Sequence, residues 1–169
     1  MEAPLITAIH ASPRRDGNTS ALLDQAVAGA REKGANVREV FLRELKMSPC
    51  LEIYGCKKDG RCVIDDDFQE VYDLMLASRG LMLAAPIFFY GICAQAKILM
   101  DRCQSLWVKK YWIERQPFGG TAKTRKALFI SAAATQGTKL FDGALLSVRY
   151  FCDVLDAQLT ASVLCRGLD

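Results

Sequence analysis

The segment LITAIHASPRRDGNTS, residues 5–20, runs from an apolar strand through a polar turn into a helix, and this passage decides the fold. Leu5–Ile9 is a short apolar run and reads as the first strand. From Thr19 to about Lys33, the residues Leu22, Leu23, Ala26, Val27 and Ala30 recur on one helical face, and Gly34 follows as a stop. A turn that leaves a buried strand and opens a helix offers free backbone amides and the positive end of the helix dipole to a ligand.

The same alternation continues outward. Asn36–Leu42 is a more polar second strand, and Asp65–Asp67 offers capping carboxylates to a helix bearing Phe68, Val71, Tyr72 and Met75. Leu81–Ala85 is strand three, ended by Pro86, and Ile92, Ala96, Leu99, Met100 and Cys103 mark the next helix face. Ala127–Ile130 is strand four. Phe141, Ala144, Leu145, Val148, Phe151, Cys152 and Leu155 form a fourth helical stripe, and Gln158–Cys165 is strand five. Alternating strands and helices imply a parallel sheet with helices on both faces. Strands one, three and four are almost wholly apolar, as central strands are, whereas strands two and five are mixed. The expectation is an α/β, doubly wound, parallel five-stranded sheet of order 2-1-3-4-5, with its ligand site where strands one and three diverge. The chain stops soon after strand five without the helix that usually covers such a strand, so a partner subunit or a missing tail is expected to cover it.

Composition sets the outer limits. The 169 residues suit one domain, and 51% hydrophobic with 24% charged residues argues against disorder. A net charge of +3 is too mild to imply a nucleic-acid or membrane-surface partner. No apolar run reaches the roughly 18 residues a membrane span needs. The start of the chain lacks a basic secretory n-region, and the seven cysteines are an odd number, so they read as thiols or ligands in a reducing cytoplasm.

Three strand-end loops carry the candidate chemistry. In the first, Ser12, Asn18, Thr19 and Ser20 supply donors and Arg14 a bidentate fork. The loop has neither the Walker A nor the GxGxxG pattern, which favours a monoester phosphate such as that of FMN. A plain capped turn, with Asn18 or Thr19 as cap, is the other reading. The second loop, Pro86, Ile87, Phe88, Phe89, Tyr90 and Gly91, sets aromatics beside a glycine and suits a flat ring; Phe88 or Phe89 packing in the core is the plainer reading. The third offers small residues around Ala133, with Thr135 and Gln136 as donors.

The runs SPRRDGNTS, APIFFYGICAQAKILMDR and SAAATQGTKLFDGAL together resemble the NAD(P)H-dependent FMN reductase and iron–sulfur flavoprotein families, over Leu5 to Asp169. The resemblance implies a flavodoxin-like fold, FMN as cofactor and a homodimer or homotetramer. It places the phosphate at Ser12, Arg14, Asn18, Thr19 and Ser20 and the isoalloxazine at Pro86 to Gly91. His10 departs from the family, and a lone histidine there is either structural or in reach of the flavin.

The segment from Cys50 to Cys62 is similar to the Cys-x2-Cys-x2-Cys motif, with a fourth cysteine beyond, of iron–sulfur flavoproteins. Cys50, Cys56 and Cys62 match positions one, three and four, but position two is Ile53, with Glu52 beside it. A [4Fe–4S] cluster usually takes four thiolates and a tetrahedral zinc site four ligands, so both fall one short. A loop without its cluster and a three-cysteine cluster are both open. Cys103 and Cys152 read as core thiols. The irregular stretch Trp107–Lys126, rich in aromatics and bases, reads as a subunit contact or lid rather than a nucleic-acid surface.

The expectation is therefore one domain over residues 1–169, with a cysteine-bearing insertion at about 46–64. It passes electrons from NAD(P)H through FMN to a quinone, a free flavin or a redox protein. An iron–sulfur electron carrier fed by a ferredoxin-like partner and a non-enzymatic flavin-binding module are the rival readings.

Overall fold

The computed structural model describes residues 2–118 and 122–168. Thus Gly119 and Gly120 of the irregular stretch, and the two chain ends, lie outside the described residues. The main sheet is built from β1 (Leu5–His10), β2 (Asn36–Phe41), β3 (Gly80–Ala84), β6 (Arg125–Ala133) and β7 (Ala157–Arg166), all parallel, in the order β2-β1-β3-β6-β7. Between β3 and β6 a small antiparallel hairpin is formed by β4 (Ile87–Phe88) and β5 (Gly91–Ile92). Counting only the main sheet, the order is the expected 2-1-3-4-5. Among the described residues no helix is long and apolar enough to cross a membrane.

The two faces of the sheet are unequal. One is covered by α2 (Phe68–Ala77), α3 (Ala94–Arg102) and α5 (Asp142–Val154), which bury Phe68, Met75, Leu99, Phe129, Ala144 and Val148 in the larger core. The other is covered by α1 (Asn18–Glu32), whose Leu23 and Val27 pack on Ala8, Val37, Ala84 and Ile130. Edge strand β7 packs against α5, and Val163 and Leu164 on it are exposed. Gly34, at φ 82, ends α1 as expected, because its left-handed backbone lets Ala35 N donate back to Ala30 O.

Several local readings change. Gly17, not Asn18 or Thr19, is the N-cap of α1. At α2 the N-cap is Asp67, which makes no side-chain cap bond and accepts from Lys46 N instead, while Asp66 Oδ1 accepts from Phe68 N at 3.2 Å. The irregular stretch is partly helical: α4 (Gln104–Trp107) continues into a π-helical turn over Val108–Ile113. The strand read as Ala127–Ile130 extends to nine residues.

Candidate functional site

One residue beyond the ends of β1 and β3, the chain is tied to its neighbours in the sheet, β1 to β3 and β3 to β6. Ala11 N donates to Ala84 O at 2.9 Å, Ala85 N to Ile130 O at 3.0 Å, and Ser131 Oγ to Ala85 O at 2.7 Å. The buried thiol of Cys93 donates to Ala11 O at 3.1 Å and fixes the start of α3 against the first loop. The loops leaving this rim enclose a cavity of about 420 Å³. Ser12, Arg14, Gly17, Asn18 and Thr19 line it from the first loop; Pro86, Ile87 and Phe88 from the second; Ala132, Ala133 and Ala134 from the third. Ser20, Phe89, Tyr90, Gly91, Thr135 and Gln136 stand outside this lining.

The first loop is shaped for an anion. The N-terminus of α1 has neither a side-chain cap nor an acid in its first turn, so its dipole is uncompensated. Ser12 is buried and its Oγ accepts from Arg14 N at 3.1 Å, which curls the loop and leaves the hydroxyl hydrogen to donate. A Cβ on Gly17 would stand 3.2 Å from Ser12 Oγ, so glycine keeps the cradle open. The two arginines part company. Arg14 lines the cavity, whereas Arg15 turns away to Glu44, at 3.5 Å, and to the ring of Phe41.

In the second loop, Phe89 and Tyr90 form the two-residue hairpin tip, with φ values of 51° and 60°. Two left-handed residues make the primed turn that suits a hairpin, but such turns favour Asn and Gly, and side chains here store strain of about 1–3 kcal/mol each. Neither phenylalanine is in the core: Phe88 is 49% exposed and Phe89 fully so, contrary to the plainer reading. The strain is held by Tyr90, whose ring and carbonyl sit on glycines of the third loop and α5. A Cβ on Gly137 would overlap the Tyr90 hydroxyl, and one on Gly143 would come within 2.9 Å of the Tyr90 carbonyl oxygen. Gly91 has neither a left-handed backbone nor a crowded Cβ direction, so no contact within the chain demands glycine there. The third loop is closed by Leu168 N donating to Ala133 O at 3.1 Å.

His10 stands apart from the cavity. It is 2% exposed, stacks on Phe41 at 4.2 Å, and its Nε2 meets Glu39 Oε2 at 3.2 Å and Asp24 Oδ1 at 4.0 Å. These three ligand-type residues do not make a good metal site. A metal on Nε2 would force the ring proton onto Nδ1, which is buried without a partner, and Arg31 already holds the other oxygen of Glu39 at 2.7 Å.

A second cavity, about 570 Å³, lies under the cysteine segment. Cys50, Cys56 and Cys62 line it with Ile53, Trp107 and Trp112. Burial pushes the Cys56 thiol up, and the neighbouring Cys62 and Cys50 push the same way. The three sulfurs are not all within 4.8 Å of one another, so they are not gathered around one tetrahedral ion. For a four-thiolate cluster the second corner is missing, because Ile53 presents an apolar side chain there. The residues present therefore do not fit that group.

A doubly wound sheet with a ligand cavity at its switch point defines a flavodoxin-like protein. More narrowly, the chain belongs to the NADPH-dependent FMN reductase family, whose model matches residues 4–157. It is similar to an iron–sulfur flavoprotein of Methanocaldococcus jannaschii, 36% identical over 60% of this chain and 52% of that one. It is also similar to an iron–sulfur flavoprotein of Methanosarcina thermophila, 34% identical over 66% of this chain and 58% of that one. The chain thus spans little more than half the length of these relatives. An NAD(P)H:quinone oxidoreductase from Methanothermobacter marburgensis shares the fold, with a TM-score of 0.72 at 17% identity over 99% of this chain and 86% of that one.

Proposed function

We propose that this protein is an FMN-dependent oxidoreductase that moves electrons from NAD(P)H to a small-molecule or protein acceptor. The observation that carries the reading is the convergence of three strand-end loops on one cavity whose floor is an uncapped helix N-terminus beside Arg14. That arrangement suits a phosphate monoester at one end and a flat ring at the other. The flavin supplies the hydride chemistry when bound. The chain supplies binding and orientation. Ser12, Thr19 and the first-turn amides of α1 hold the phosphate, and Arg14 closes over it as a bidentate donor. Pro86, Ile87 and Phe88 bound the ring on one side, and the small side chains of Ala132 to Ala134 let it approach the rim. Asn18 and Ser20 belong to the same first turn. Tyr90 and Gly91, with Thr135 and Gln136, would form the outer rim, and the exposed Phe89 would meet a substrate or a second subunit.

We further infer a single domain, a reducing cytoplasmic setting and a homo-oligomer, with no nucleic acid or membrane as partner. Exposed Trp112, Phe118, Leu146 and Tyr150 support an assembly. The rival reading, an iron–sulfur electron carrier fed by a ferredoxin-like partner, rests on the three thiols around one cavity and requires a fourth ligand where Ile53 stands. Steady-state oxidation of NADH or NADPH by the FMN-loaded protein, with a quinone as acceptor, tests the first. Turnover supports it, and reduction only by a ferredoxin-like protein supports the second.

A further inference from the structure

The cysteine segment has neither a fourth thiol nor a need for one. Four of the chain's seven cysteines lie outside it, and none repairs the missing corner. Cys93, Cys103 and Cys152 are buried in the core and Cys165 is on β7. Cys103 is close enough to feel Cys62 electrostatically, yet it is 1% exposed, lies outside the cavity lining, and burial drives its thiol far from ionisation. Ile53 is 59% exposed, so replacing a thiolate by this side chain leaves that corner open to water.

The segment does not need iron to be ordered. Arg102, fully buried in its side chain, reaches into it from α3. Its Nε donates to Cys62 Sγ at 3.2 Å, Nη1 to Ser48 O at 3.0 Å and to Asp66 Oδ2 at 2.6 Å, and Nη2 to Ile64 O at 3.1 Å. Asp66 in turn accepts from Ser48 N at 3.0 Å, and Gln69 Nε2 donates to Cys62 O at 2.8 Å and Ile64 O at 3.0 Å. Both ends of the segment are thus clamped to α2 and α3. A buried guanidinium with this many satisfied bonds over-determines the backbone around it.

We propose that the Cys50–Cys62 segment carries no [4Fe–4S] cluster: the Arg102–Asp66 pair holds its shape in place of iron, and Ile53 is the reason iron is absent. The inference stands whether or not the flavin reading does. Joined to that reading, it means that electrons leave the flavin directly for the acceptor.

The test uses the intact protein, purified without oxygen, before and after incubation with ferrous iron and sulfide. Iron and acid-labile sulfide should remain well below one per chain, with no cluster signal by electron paramagnetic resonance after reduction. About four irons per chain, held through desalting, would overturn the proposal. Ile53→Cys under the same treatment should take up about four irons; failure to do so would refute Ile53 as the cause. Hydrogen exchange on the iron-free native chain reads the remaining claim. Protected amides over residues 48–66 support the Arg102–Asp66 clamp, and exchange at the rate of an unfolded chain would refute it. None of these readouts depends on flavin turnover.

Discussion

At the scale of single residues, the two neighbouring arginines of the first loop make a controlled pair. Arg14 faces the cavity and Arg15 is engaged with Glu44 and Phe41. Arg14→Ala should weaken FMN binding by about 1.5–3 kcal/mol, the scale of a hydrogen bond to a charged group. Arg15→Ala should leave it within about twofold, since the loss there is a solvent-exposed pair worth about 1 kcal/mol or less to stability. Fluorescence titration of the apoprotein with FMN checks both. The residue types of this loop and the family resemblance pointed to Arg14; what turns Arg15 away was not legible, because Glu44 and Phe41 lie well along the chain. The two phenylalanines of the hairpin misled for a related reason. Hydrophobicity alone sends Phe88 and Phe89 to the core, but Phe89 sits in the left-handed turn and Phe88 on the short strand before it, and both are exposed.

At the scale of elements, the hairpin and α5 are fitted to each other through Gly143. A methyl there meets a backbone carbonyl that cannot rotate away, whereas at Gly137 it meets the end of a tyrosine side chain, which can move. Gly143→Ala should therefore lower stability by about 1–3 kcal/mol, and Gly137→Ala by less, as thermal or urea unfolding will report. Asp66, just before α2, gives a pH signature. Burial pushes the Asp66 carboxyl up, but the Arg102 guanidinium and the Ser48 and Phe68 N–H groups outweigh it and hold it below the usual carboxylate range. A depressed folded value means that the stabilisation is whole above about pH 4, the unfolded value, and is lost as pH falls through the folded one. Unfolding of the native chain should steepen below about pH 4, and Asp66→Asn should be less stable at pH 7 with a flatter acid limb. A pH-independent difference between the two would contradict the ion pair. The three consecutive acids announced a cap without saying which of them serves. Likewise the length of β6 was hidden because Arg125 reads as loop; its guanidinium is spent on the carbonyls of Leu76, Ser78 and Leu155.

At the scale of the whole molecule, strand order was legible because burial on two faces demands apolar central stretches, as in Leu81–Ala85 and Ala127–Ile130, whereas the edge strands β2 and β7 mix polar residues throughout. The stretch after α3 was not. Its α4 and π-helical turn show no apolar period, and Lys110, which reads as a surface base, is buried with its ammonium on Asp153 O at 2.6 Å and Asp156 at 2.7 Å. The exposed Val163 and Leu164 of edge strand β7 and the exposed Trp112, Phe118 and Tyr150 should be covered in an assembly, so sedimentation of the flavin-loaded protein at micromolar concentration should show a dimer or larger species, and a monomer would contradict it. The proposed function requires the rim of the sheet to read a phosphate monoester together with a flat ring. Calorimetric titration of the apoprotein with FMN and, in parallel, with riboflavin separates the two parts, because the ligands share the ring and differ in the phosphate. One FMN should bind per chain, with riboflavin weaker by about 100-fold or more, the loss of at least two charge-assisted hydrogen bonds; equal affinity for the two ligands would contradict a phosphate site at this rim.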